Sequence, residues 1–340
     1  MNYEKNFQHR FCVAPMMEWT DRHCRYFLRQ FSSHTLLYTE MITTGALLHG
    51  DAERFLHFNK EEQPVALQLG GSDPVELAEA ARMGEQAGYQ EINLNAGCPS
   101  DRVQRGKIGA CLMAEPELVA ECIRAMQHAV SIPVTIKCRT GINNLDSQEH
   151  LTHFVSTVAD AGCTTFIIHA RIAILEGLSP KQNREVPPLN YDRVFNIKEQ
   201  FPSLEIVING GIKTLEETET MLKKVDGVMM GREAYQNPNI LSQVDQRFFG
   251  SHTPATSQEE ALSRFIDYAR KEMDKGVALK HMSKHILGLF QGLPGAKRFR
   301  RHISENAHKA DATIDVLETA ASIMSDYQSA QAEFLQEVTC

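Results

Sequence analysis

Short apolar runs recur along the chain from Phe11 onward, each separated from the next by a stretch whose apolar positions return every three or four residues. The runs have strand length and the intervening stretches, such as "DPVELAEAARMGEQAG" and "EPELVAECIRAMQHAV", read as amphipathic helices. Eight strands are predicted: Phe11–Pro15, Leu36–Thr39, Val65–Leu69, Glu91–Asn95, Val134–Lys137, Thr165–His169, Glu205–Asn209 and Gly227–Met230. Asp73 is placed to cap the first of the quoted helices and Gly88 to stop it. Eight βα units within about 245 residues match the usual size of a closed (β/α)8 TIM barrel. An open doubly wound sheet is the alternative, but it would ordinarily need fewer units.

The pattern changes after residue 248. The stretch "FFGSHTPATSQEE" brings Gly, Pro, Ser and Thr together, so residues 1–248 read as the barrel and 249–256 as a linker. A small all-α helical bundle is expected over 257–340. Ser257 and Glu260 form a capping-box pattern opening "SQEEALSRFIDYARKEMDKG", Gly276 closes it, and three further helices are expected near 278–291, 296–309 and 313–335. No internal repeat of solenoid length is present.

Composition narrows the class. The 340 residues are 42% hydrophobic and 23% charged, as in an ordinary enzyme with ample core. "MNYEKNFQHR" has no apolar stretch of signal-peptide length, and no segment approaches the roughly 18 apolar residues that span a bilayer, so a cytoplasmic protein without membrane contact is expected. The eight cysteines (12, 24, 98, 111, 122, 138, 163 and 340) include no C-x-x-C pair, which argues against a zinc site or a disulfide framework. His281 and His285 have the i, i+4 spacing of a metal pair, but they lack a third ligand and lie among lysines, so no metal is expected.

The net charge of −8 argues against a polyanionic partner until its distribution is considered. Between 280 and 310, seven basic residues (Lys280, Lys284, Lys297, Arg298, Arg300, Arg301 and Lys309) face one acid, Glu305, a local charge of +6. With Phe299 and four histidines interleaved, this run reads as a phosphate-backbone contact surface.

Residues with chemical capacity sit where the strands end: Met16 and Met17, Glu40, Gln68, Asn95 with Cys98, Lys137 with Arg139, His169, Asn209 and Arg232. In barrels this C-terminal rim holds the active site. "INGG" (208–211) and "MGRE" (230–233) follow strands seven and eight, where barrels often bind phosphate. Gly210 and Gly211 allow backbone N–H groups to approach an anion, and Arg232 adds a charge. Lys137 enters an apolar barrel mouth and needs a partner there. A flavin edge, a Schiff-base carbonyl or a salt bridge with Glu40 would each serve. Gln68 and His169 could hydrogen-bond the same flavin ring. No G-x-G-x-x-G follows a strand, so a dedicated dinucleotide domain is not expected.

"CVAPMMEWTDRHCRYFLR", "LNAGCPSDRVQRGKIGACLM" and "INGGIKT…DGVMMGREAYQNP" resemble the tRNA-dihydrouridine synthases over the whole chain. "LLYTEMITTGALLHG" and "LFQGLPGAKRFRRHISENAHKA" resemble the subfamily that acts on uridines 20 and 20a of the tRNA D-loop. The resemblance implies FMN as cofactor and NADPH as reductant. It implies that Pro15, Met16, Met17, Gln68, Lys137, His169, Asn209, Gly210, Gly211, Gly231 and Arg232 hold FMN, that Asn95 meets the target nucleotide, and that Cys98 is the proton donor. A thiol suits that role, because an unperturbed cysteine with a pKa of about 8.5 is mostly protonated at neutral pH. Cys111 is the alternative donor.

Two other function classes compete. A small-molecule flavin oxidoreductase would share the barrel and the FMN residues but leave the basic helical segment unexplained. A non-catalytic RNA-binding protein would leave Cys98, Lys137 and the glycine loops unexplained. If tRNA is the substrate, two groups of cations are candidates for its backbone: Arg139, Arg171, Lys181 and Arg184 at or after the barrel rim, and Lys297, Arg298, Arg300 and Arg301 in the helical part.

Overall fold

The computed structural model describes residues 9–100 and 106–339. The segment 101–105 of the motif following Cys98, the first eight residues and Cys340 lie outside the described residues. Eight parallel strands form a closed ring: β1 (Phe11–Val13), β2 (Leu36–Tyr38), β3 (Val65–Gly70), β4 (Glu91–Ala96), β5 (Val134–Arg139), β6 (Thr165–His169), β7 (Glu205–Asn209) and β8 (Gly227–Met230). Each pairs with its sequence neighbours, and β1 pairs with β8 to close a TIM barrel. A two-residue strand, Ile42–Thr43, extends the ladder beside the end of β3. Strand β5 runs two residues past the expected end at Lys137, because Cys138 and Arg139 continue in register with Ile168 and His169.

The helices between strands form for local reasons visible in the sequence. Helix Pro74–Ala87 starts where Asp73 accepts the N–H groups of Val75 (2.8 Å) and Glu76 (3.0 Å), and stops at Gly88, whose φ of 97° favours glycine. Its buried residues Leu77, Ala80, Ala81 and Gly84 follow the i, i+3, i+4, i+7 spacing of one helical face. A Cβ on Gly84 would stand 2.6 Å from Leu67 and 2.8 Å from Ile92, so glycine is what lets the helix lie against β3 and β4. Leu67 and Ile92 therefore point outward. Alternation then turns Ala66 and Gln68, and Glu91, Asn93 and Asn95, into the barrel.

The barrel interior is consequently divided. One part is apolar, a cluster of Cys12, Ala14, Leu36, Tyr38, Ala66, Ile167, Val207 and Met229 with Met16 packed against it. The other part is polar, and β4 and β5 supply most of it.

By contacts the chain falls into two compact units: Met1–Arg22 with His34–Gly231, and His23–Ser33 with Arg232–Cys340. The helical unit thus takes in residues 232–248, which the composition shift assigned to the barrel, and a segment from near the N-terminus. Aromatic packing explains the latter: Tyr26 stacks on Tyr268 at 3.8 Å, and Phe27 meets Phe265 edge-on at 5.0 Å. His23 Nδ1 lies 2.7 Å from the Tyr268 hydroxyl, and Asp245 accepts from Ser32 and Ser33. In the same unit Ser257 caps helix Gln258–Asp274 through the N–H of Glu260. The expected helix at 278–291 is instead a short turn, Lys280–Ser283, continuing as a 3-10 turn to Ile286. Gly288 approaches the Gln236 carbonyl where any Cβ would clash, and Gly292, Pro294 and Gly295 follow. Helices Ala296–Asn306 and Asp315–Thr339 complete the unit. Among the described residues no helix is long and apolar enough to cross a membrane.

Candidate active site

The site begins with strand register. Asn95 of β4 lies beside Lys137 of β5, Arg139 beside His169 of β6, and His169 beside Asn209 of β7, so consecutive strands deliver these residues to the C-terminal rim. Gln68 joins them from β3: its Oε1 accepts from Asn95 Nδ2 at 2.8 Å.

Cys98 lies on the corner after β4. Asn95 Oδ1 accepts the N–H groups of Gly97 (3.1 Å) and Cys98 (2.9 Å), folding the chain back immediately beyond the strand. The Cys98 carbonyl accepts from Ala110 N at 2.9 Å. Cys98 and Cys111 are the two half-buried cysteines, and the other five described are buried. Burial pushes the Cys111 thiol above its ordinary value, and its Sγ lies 3.2 Å from the Ile108 carbonyl.

Lys137 donates to Asn209 Oδ1 at 3.1 Å rather than to Glu40, which instead accepts the main-chain N–H of Glu18. Among the described residues no carboxylate pairs with Lys137. Burial, and then the neighbouring Arg139 charge, bring it down from 10.5 to about 8, so it remains mostly charged at neutral pH. His169 is pushed the same way, well below 6.5, by burial and by Arg139, Lys137, Arg171 and Arg184 in that order. Its imidazole is neutral, with one nitrogen to donate and one to accept.

The glycines after β7 are required by geometry. Gly210 and Gly211 have φ of 121° and 73°, and Cβ atoms would stand 2.7 Å from the His169 ring and 2.5 Å from Leu189. Tyr191 OH holds the turn by donating to the Gly210 carbonyl at 2.7 Å. Pro15 and Met16 are half-buried, Met17 is 59% exposed, and Gly231 is half-buried after β8. Arg232 opens helix Arg232–Gln236 and is the first residue of the second unit's C-terminal stretch.

Arg139 and Arg171, expected at a backbone contact, are engaged by main-chain carbonyls instead. Arg139 is 3% exposed, and its donors reach three main-chain carbonyls: Gly97 (2.8 Å), Ile172 (2.9 Å) and Asn183 (3.1 Å). It ties the Cys98 corner to the long loop after β6. Arg171 is half-buried and donates to the carbonyls of Pro187 and Glu185. Lys181 and Arg184 are exposed on that loop. In the helical unit, Lys297, Arg298, Arg300 and Arg301 are exposed; Arg301 pairs with Glu305 at 2.7 Å and Arg298 lies 5.8 Å from the Tyr327 ring centre. His285 of the i, i+4 histidine pair is buried, with Nδ1 3.2 Å from the Tyr235 hydroxyl.

Sequence reasoning passed over Asn183. It is fully buried, with Nδ2 donating to Ile174 O and Leu178 O and Oδ1 accepting from Ile174 N, and so braces the β6 loop. It also passed over Asn93, Thr135 and the charged base of the barrel, where His9 lies between Glu91 (2.6 Å) and Glu205 (2.9 Å).

A parallel barrel whose C-terminal rim gathers a thiol corner, a desolvated lysine, a neutral imidazole and a glycine turn defines a TIM barrel with an equipped reaction site. The chain belongs to the dihydrouridine synthase (Dus) family, whose model matches residues 12–325. It is 58% identical over 317 residues to the tRNA-dihydrouridine(20/20a) synthase of Yersinia pestis, covering 93% of this chain and 92% of that protein. It is 55% identical over 337 residues to the protein of the same name from Shewanella oneidensis, covering 99% and 98%. Among solved structures, an old yellow enzyme homologue from Zymomonas mobilis has the same barrel fold, with a TM-score of 0.51 at 14% identity over 73% of this chain and 90% of that one.

Proposed function

We propose that the protein reduces the C5=C6 bond of uridine to dihydrouridine at positions 20 and 20a of the tRNA D-loop, in the cytoplasm, using FMN as cofactor and NADPH as reductant. Family membership and the relatives' names support the reaction and the substrate. The chemistry of the donor set fits FMN. Lys137 is a desolvated cation with no carboxylate partner among the described residues, suited to the electron-rich edge of the ring; Gln68 and His169 offer hydrogen bonds beside it. Met16 and Met17, after Pro15, offer an apolar lip. Asn209, Gly210, Gly211, Gly231 and Arg232 are assigned to the phosphate end. When bound and reduced, FMN supplies the hydride that adds to uracil C6.

The remaining work falls to this chain. Cys98 passes the proton of its Sγ–H to C5, which completes addition across the double bond and leaves a thiolate to be reprotonated from solvent. Asn95, with one amide hydrogen engaged by Gln68, offers the other to the base. The uridine must leave its stack to meet these groups. Exposed Lys181 and Arg184, with Lys297, Arg298, Arg300 and Arg301 of the helical part (257–340), bear cations for the tRNA phosphates. Arg139 and Arg171 are better described as positioning the rim loops.

The observation that carries this reading is the Cys98 corner, held by Asn95 at the rim beside Lys137. Cys98→Ala is expected to bind FMN and accept electrons from NADPH at the parent rate, while dihydrouridine formation falls by at least about 10²-fold, a typical loss for a general acid. Stopped-flow absorbance and mass spectrometry of treated tRNA measure the two steps. Uridine reduction at the parent rate would transfer the role to Cys111 or to solvent.

A further inference from the structure

The polar half of the barrel interior forms one continuous hydrogen-bonded chain, and only one assignment of donors and acceptors satisfies it. At the base, Glu91 Oε2 meets His9 Nε2 at 2.6 Å, while Oε1 accepts from Tyr38 OH (2.8 Å) and Thr135 Oγ1 (2.6 Å). Both His9 nitrogens face carboxylates, which fits an imidazolium and an ionised Glu91. A carboxylate only accepts. Thr135 has one proton and spends it on Glu91, so toward Asn93 it can only accept, and Asn93 must turn its NH2 to it (2.8 Å).

The consequence propagates. Asn93 Oδ1 then faces Gln68, which must present its own NH2 (2.8 Å). Gln68 Oε1 in turn faces Asn95, which must present NH2 (2.8 Å), and Asn95 Oδ1 is left to receive the N–H groups of Gly97 and Cys98. The rim end imposes the same direction independently, since main-chain N–H groups only donate. Glu91, Asn93, Thr135, Gln68 and Asn95 are all buried, so water cannot substitute for a missing partner without cost.

We propose that Glu91, acting through Thr135 and Asn93, is a positioning residue for the reaction: it anchors from the base the orientation of the Gln68 and Asn95 amides that the rim also imposes, and so steadies the seat of the Cys98 corner. The role in uridine reduction rests on the function proposed above; the ordering of the corner does not. Without the Thr135 hydroxyl, the Asn93 NH2 loses its acceptor. The Asn93 and Gln68 amides are then no longer held in one orientation from the base, and the Asn95 turn is held from the rim alone.

Thr135→Val removes the hydroxyl at nearly constant volume, and Thr135→Ser restores it. In the FMN-loaded protein, Thr135→Val should raise hydrogen exchange at the Gly97 and Cys98 amides, and alkylation of Cys98 by iodoacetamide, by roughly tenfold, the scale of one orphaned buried polar group. Uridine reduction should fall by a similar factor in kcat. Thr135→Ser should restore all three. Tyr38→Phe removes another donor to the same Glu91 oxygen but lies outside the chain, and should leave the exchange at Gly97 and Cys98 unchanged. Asn93→Asp, which meets Thr135 with an acceptor, breaks the same link and carries the test should Thr135→Val not fold. Parent-like exchange and alkylation in both link-breaking variants, or a Tyr38→Phe effect equal to theirs, would overturn the proposal. Changed exchange in a protein whose parent does not reduce uridine would leave the ordering intact and refute the reaction.

Discussion

His9 should make the barrel's stability depend on pH in a direction opposite to that of most buried histidines, and replacing it should remove that dependence. Burial alone would drive the His9 pKa down, but the Glu91 charge, hydrogen bonds to Glu205 and Glu91, and the Glu205 charge together carry it from 6.5 up to about 10. A rise of about three and a half pH units, at about 1.36 kcal/mol each, corresponds to on the order of 5 kcal/mol. Because the folded value lies above the unfolded one, the contribution is complete below about pH 6.5 and drains away as the pH rises toward 10. Between pH 7 and 9 the parent should lose roughly 2–3 kcal/mol from this group alone. His9→Gln, which cannot carry the charge, should be markedly less stable at pH 7, and the gap should narrow by that amount at pH 9. Trp19 is the sole tryptophan and belongs to the barrel unit, so its fluorescence during urea unfolding reports on the relevant element. A gap that stays constant from pH 7 to 9 would show that His9 is not held as a cation between the two carboxylates.

Lys137 gives the complementary pH effect at the other end of the barrel. Its ammonium, brought down to about 8 by burial and Arg139, is lost from the free site above that pH, so FMN retention should weaken by up to about tenfold per pH unit thereafter. Lys137→Met should hold FMN weakly and without that slope; flavin fluorescence after ultrafiltration measures both, and an unchanged slope would place the titrating group elsewhere. The double variants Arg298→Ala/Arg301→Ala and Lys181→Ala/Arg184→Ala should each weaken tRNA binding and flatten its log–log salt dependence by about 1.4–1.8, two phosphate contacts' worth. Parent-like binding by both pairs across a salt series would mark these cations as solvated surface.

The barrel was legible because its strands obey a simple rule. Thr165–His169, Glu205–Asn209 and Gly227–Met230 end where apolar runs meet Asn, Gly or His, and the structure ends them at the same residues. The Cys98 corner was legible because a buried strand runs into Gly-Cys-Pro, and the structure turns the chain there. The polar chain was harder to read, although "EINLNA" carries its signal. Glu91, Asn93 and Asn95 alternate with Ile92, Leu94 and Ala96, a period of two in a strand buried on both faces. Each polar residue taken singly reads as a strand end or a loop contact, whereas alternation places all three in the lumen. Nothing local assigns residues 23–33 to the helical unit, since the Tyr26 and Phe27 partners lie more than two hundred residues away. Arg139 was read as a cation for phosphate because sequence shows charge but not the three carbonyls that consume it.

The Cys98 corner separates architecture from chemistry. The hydrogen bonds that seat it act on the main chain: the Gly97 and Cys98 N–H groups on Asn95, the Gly97 carbonyl on Arg139, and the Cys98 carbonyl on Ala110. Among the described residues, the thiol contributes no hydrogen bond to that frame. On the role proposed for Cys98, exchanging sulfur for oxygen or hydrogen there changes the reagent without moving its mount. A silenced variant should still offer tRNA the same surface, at full occupancy and without turnover, which makes residue 98 the natural place to arrest the enzyme with its substrate in hand.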